Sequence, residues 1–177
     1  MNKKDYGCRK KEIFECLHGV PRRILQLHGT ENIAEFLVHH FSRPECFNLS
    51  HAAYFIDNPD FDYFKGIAGV HSKERSSIVN HWEDPNLFSH HMSSSMFNQK
   101  VRSIEKQSLK LHDHDEAMVV SELAKELNVN NPFYKTLPMK YNNYGIFLFE
   151  PIDKQEYENI DEHMQESLYL LGFSPVF

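Results

Sequence analysis

Apolar positions along this chain recur with two periods, and the switches between them mark out its elements. The most regular stretch lies near the C-terminus. Residues 144–150 (Tyr-Gly-Ile-Phe-Leu-Phe-Glu) form an almost unbroken apolar run of strand length, closed by Pro151. Asp153 and Glu156 then make a capping-box pair, and Tyr157, Ile160, Met164, Leu168 and Leu171 return at helical spacing. This predicts an interior strand followed by a helix over 154–171 packed on its sheet. Gly172 stands where a helix end favours a left-handed residue, and 173–177 could add a last strand.

A second apolar run, 51–57, has no polar face either, which suits a central strand. Asn58-Pro59-Asp60 supplies turn chemistry, and 64–70 reads as the returning partner. Helical spacing governs much of the rest. Residues 9–28 predict two short helices divided at Gly19 and Pro21, with Pro21 suited to a first helical position. Gly29 stops the second. Thr30 caps a third over 31–41, whose face carries Ile33, Phe36, Leu37, His40 and Phe41, and Arg43-Pro44 ends it.

Asp84-Pro85 opens another helix, which the serines at 93–95 break or restart. Phe97, Val101, Ile104, Ser108 and Leu111 predict a helix over 96–111. Asp113 with Glu116 resembles a capping box opening a helix to Leu127, with Ala117, Val120, Leu123, Ala124 and Leu127 on one side. Residues 128–132 read as a stop and a loop. Helices outnumber strands, and one strand pair is close in sequence. The expected fold is therefore α+β: a single domain over 1–177, several helices on a small central sheet that includes strands near 51–57 and 144–150. About eight N-terminal residues are expected to fray.

Composition narrows the classes. A chain of 177 residues can bury a core without disulfides or metals. Its net charge of −6 opposes non-specific nucleic-acid binding, which needs a basic surface, and the basic start (Lys3, Lys4, Arg9, Lys10, Lys11) is too short to reverse that. Three cysteines make no disulfide framework. No apolar run approaches the roughly 20 residues that span a bilayer, and no apolar stretch follows the charged start. The expectation is a cytoplasmic, non-membrane protein with free thiols. No glycine-rich phosphate loop, dinucleotide fingerprint or nucleophile elbow is present, so no nucleotide cofactor is indicated.

Histidine changes the picture, with 12 in the chain. His39-His40 and His90-His91 are adjacent pairs on predicted helices. Neighbours there point about 100° apart, so each pair offers one ligand to a given site. His40 and His91 are the members expected to face the interior. His112 and His114 lie in the run His-Asp-His-Asp-Glu at a helix junction, where both could turn inward. Asp57 ends the central strand, a position that often serves metal chemistry. Pro59 breaks the Asp-x-Asp pattern of one phosphatase class, and turn formation explains the same residues. Cys8, Cys16 and His18 are spaced too widely for a zinc knuckle, and each cysteine reads as a small core or surface residue. The functional expectation is a metal-binding protein or metalloenzyme, with Zn or Fe held by His40, His91, His112, His114 and Asp57. The alternative is a non-catalytic protein whose acidic, aromatic-rich surface docks a protein partner or a second copy.

Overall fold

The computed structural model describes residues 3–27, 32–75 and 81–173, with side chains for all of these but 3–6, 156 and 159. Its centre is β1 (Leu49–Asn58), the run expected to be apolar on both faces. β2 (Tyr63–His71) returns beside it after a short 3-10 turn, and β5 (Tyr144–Pro151) pairs on its other side. β3 (Glu105–Lys106) and β4 (Phe133–Pro138) complete an antiparallel sheet of order β3-β2-β1-β5-β4. The fold is α+β.

Strand alternation sends side chains into two cores. Ala52, Tyr54, Ile56, Phe147 and Phe149 face one layer. That layer is built from α1 (Lys3–His18), α2 (Val20–Gln26), α3 (Ile33–Ser42), α4 (Pro85–Ser94) and α7 (Lys154–Leu168). Ala53, Phe55, Ile146 and Leu148 face the other, formed by α5 (Met96–Arg102) and α6 (Glu116–Leu127). Tyr54 pairs with Ala68 and Phe55 with Gly66, so Ile67 is an extra residue that bulges β2. At Gly66 and Gly69 the helix α5 lies against the strand. A Cβ on Gly66 would sit 1.9 Å from the Val101 carbonyl oxygen, so only glycine fits.

β3 covers only Phe64 and Lys65 of β2. Beyond it, side chains protect the exposed edge. Asn98 Oδ1 accepts from the Gly69 amide at 2.9 Å, and Asn32 Nδ2 donates to the Ile67 carbonyl at 3.3 Å. Glu35 is buried beneath them and accepts from Asn98 Nδ2 at 2.8 Å and from Arg102 Nη1 at 3.0 Å.

Several local expectations are corrected. The helix expected over 96–111 ends at Arg102, because residues 104–110 bond to the sheet end instead. The Ile104 carbonyl takes the Gly66 amide, and Asp57 takes the amides of Leu109 and Lys110. α3 is capped by Asn32, whose side chain accepts from the Glu35 amide; Thr30 lies outside the described residues. α6 is capped by Asp115, while Asp113 is left-handed at φ 49° and Ala117 is exposed. The first helix, expected from residue 9, already begins at Lys3. α7 ends at Leu168 and a 3-10 turn carries Tyr169–Phe173, with Gly172 outside the left-handed region. β4 falls just after the expected loop at 128–132, in a stretch given no element. The strand expected at 173–177 falls mostly outside the described residues.

Candidate functional site

The five residues singled out from sequence fall in two separate neighbourhoods. Asp57, His112 and His114 lie where β1 ends. Asp57 is fully buried, and its two oxygens accept from Leu109 N (2.9 Å), Ser108 Oγ (3.0 Å) and Lys110 N (3.2 Å). His112 Nε2 meets Asp62 Oδ1 at 2.9 Å, and its ring centroid is 6.1 Å from that of His114. His114 lines a cavity of about 620 Å³ with Lys110, Asp113, Glu116, Thr136 and Tyr144. Lys110 is held there by the Asn142 side chain and carbonyl. His40 and His91 belong to the helical layer on one sheet face. His91 is half-buried, 6.5 Å from the Phe88 ring centroid. Among the described residues no group of three or more His, Cys, Asp or Glu is arranged to hold a metal ion.

His40 leads to the most reactive arrangement. α3 is buried along most of its length, so His39 and His40, one position apart, are both enclosed. His40 Nε2 lies 3.0 Å from the Cys16 carbonyl oxygen and 3.3 Å from Cys16 Sγ. On the other side of the ring, Trp82 Nε1 donates to His40 Nδ1 at 3.5 Å. A carbonyl only accepts and an indole N–H only donates. The network therefore assigns the hydrogen to Nε2, and His40 donates toward the Cys16 backbone and sulfur.

Cys46 lies on the turn between α3 and β1. Burial pushes its thiol well up, so it keeps its proton. The influence of the Cys46 thiol, then of His40 and Arg43, brings Cys16 down to about 5 against the upward push of burial. Arg9 ties the helix to the turn, its Nη2 donating to the Cys46 carbonyl at 2.7 Å.

Cys16 and His40 form part of the wall of a cavity of about 540 Å³. Arg9, Arg23 and Arg43 line it together with Glu12, Glu15 and Glu45. Arg9 pairs with Glu12 and Arg43 with Glu45, both at 3.2 Å, and Arg23 lies over the Trp82 ring. Behind His40 is a denser aromatic cluster. His39 and His81 stand 4.7 Å apart between centroids and pack on Phe88. All four of their ring nitrogens are buried without a hydrogen-bond partner among the described residues. Burial above all holds His39 down to about 3 and His81 to about 2.

No family model, curated protein or solved structure matches this chain. The site therefore stands on its geometry.

A third polar cluster sits on the sheet. A register shift between Leu49 and His51 lets both Ser50 and His51 reach Glu150. His51 Nδ1 is 2.8 Å from Glu150 Oε2, Ser50 Oγ donates to the same oxygen at 2.9 Å, and the His71 ring stacks on His51 at 4.3 Å. Sequence reasoning reached His40 because it fell on an apolar face. It passed over Cys16 and Cys46, since no local spacing links residues brought together from α1, α3 and the following turn. The one available signal was a histidine expected in the interior, where a ring with two nitrogens needs partners.

Proposed function

We propose that this protein works through the Cys16 sulfur, acting as a thiolate nucleophile on a small electrophile admitted to the cleft that arginines and glutamates line together. One observation carries this reading: at the cleft wall the Cys16 sulfur lies 3.3 Å from His40 Nε2, which donates toward it. That donor stabilises the anion, and a thiolate is the reactive form of cysteine. Of the charged groups around the cleft, Arg43 favours negative charge on the sulfur. The three thiols are free, which fits a reducing compartment such as the cytosol, and no helix among the described residues is long and apolar enough to cross a membrane.

The test is competitive labelling of the native, untagged chain with limiting iodoacetamide at pH 6, followed by peptide mapping. An unperturbed thiol with a pKa of about 8.5 loses roughly tenfold in thiolate per pH unit below it. Label should collect on Cys16 ahead of the exposed Cys8. Label on Cys8 alone would contradict the reading.

A second reading, a transition-metal site, is favoured by the unpartnered nitrogens of His39 and His81, with the His40 ring 5.6 Å from His81. Stoichiometric zinc or iron in untagged protein supports it, and its absence removes it.

A further inference from the structure

Buried Asp57 pins the turn at 108–110, and that turn carries Lys110 to the cavity of about 620 Å³ at the end of β1. The Lys110 ammonium is clamped there, donating to both the side-chain oxygen and the carbonyl of Asn142. Asp113 and Glu116 line the same cavity. Among the described residues neither carboxylate forms an ion pair, and neither does Lys110. The Cys16 cleft is built the other way, with Arg9 paired to Glu12 and Arg43 to Glu45. Here one cation and two carboxylates surround a common space without neutralising each other.

Asn143 adds an unfinished contact to this wall. It is 5% exposed, and its Nδ2 donates to the Lys140 carbonyl at 3.0 Å, which assigns the amide. Its Oδ1 is then buried with no partner among the described residues. A buried acceptor without a donor is costly, and a ligand N–H relieves that cost. Leu137 and Met139 give the cavity apolar surface beside these polar groups.

We propose that this cavity binds a small zwitterion, a free α-amino acid with an apolar side chain. Its carboxylate pairs with the Lys110 ammonium. Its ammonium is shared by Asp113 and Glu116, close to the Asn143 acceptor, and its side chain lies against Leu137 and Met139. A simple anion would gain Lys110 but meet two carboxylates, and a simple amine would gain the carboxylates but meet Lys110. A ligand carrying both charges satisfies both walls. The volume falls within the roughly 300–1,000 Å³ usual for small-molecule sites. The site takes no residue from the Cys16 cleft and stands or falls without it.

The experiment is a two-dimensional amide NMR titration of the untagged full chain with millimolar L-leucine or L-methionine. Two analogues of leucine are run beside them: 4-methylpentanoate, which lacks the ammonium, and isoamylamine, which lacks the carboxylate. The amino acids should give saturable shifts centred on the amides of Lys110, Asn142 and Asn143. Each analogue should bind leucine's site at least about tenfold more weakly. Lys110→Met and Glu116→Gln should each weaken leucine by a similar factor, while an otherwise unchanged amide spectrum shows that the fold is intact. The analogue comparison needs neither variant. Absence of saturable shifts with both amino acids would overturn the proposal. So would shifts centred elsewhere, an analogue binding as tightly as leucine, or a folded Lys110→Met that binds leucine as the wild type does.

Discussion

The two ends of β1 treat buried polarity in opposite ways. Where the strand ends, Asp57 is fully enclosed and accepts three hydrogen bonds from the turn at 108–110. Where the strand is approached, His40 donates toward the Cys16 sulfur, and behind them His39 and His81 bury four ring nitrogens with no partner among the described residues. The first arrangement is satisfied, so it serves architecture: it shapes a loop that would otherwise have continued α5. The second leaves buried groups in a costly condition and sets a reactive sulfur beside a cleft. A satisfied buried carboxylate offers a substrate little, whereas a sulfur supplied with a donor is prepared to carry charge.

Substitution at the satisfied end should have the largest effect. Asp57→Ala leaves Ser108 Oγ and the Leu109 and Lys110 amides without their acceptor. Loss of about 3–5 kcal/mol in urea unfolding is expected, from buried donors stripped of a charged partner. Cys16 labelling in the folded fraction should not change. A near-neutral Asp57→Ala would break the contrast by showing that this carboxylate holds nothing in place.

Acid should act on the unsatisfied end. His39 and His81 are held down to about 3 and about 2, so below the unfolded value near 6.5 the unfolded chain binds protons that the native chain does not. Stability is therefore lost as pH falls through that value and onward toward 3. The groups facing them do not reverse this: Arg43 and Arg75 near His39, Arg43 and Arg23 near His81, and the other histidines all oppose protonation. Half-buried His71 is shifted down as well, in the same direction. From pH 7 to 5 the two buried rings together contribute a loss of about 3–4 kcal/mol, before relaxation reduces it. Chemical denaturation at the two pH values checks this, and equal stabilities would mean that His39 and His81 find partners in solution.

Much of the fold was legible because continuous apolar runs have few alternatives. β1, β5, the capped start of α4 and the stripe of α7 all follow from local pattern. The failures have physical causes. Phe97, Val101 and Ile104 do fit helical spacing, and all three are buried, yet Ser108 is drawn to Asp57, 51 residues away in sequence. β4 hides because it is an edge strand between two prolines, with mostly half-exposed side chains and only Leu137 fully buried. Of the site, only His40 was visible. Cys16 lies 24 residues before it, and nothing in either segment announces the other.

The central claim is that Cys16 is a thiolate at neutral pH and that the His40 donor helps to hold it so. The most direct measurement is a pH titration of thiolate ultraviolet absorbance, taken as the difference between wild type and Cys16→Ser. A midpoint near the value of about 5 is expected, moving upward in His40→Phe, which removes one donor. A wild-type midpoint near the ordinary thiol value of about 8.5, unmoved by His40→Phe, would contradict the account.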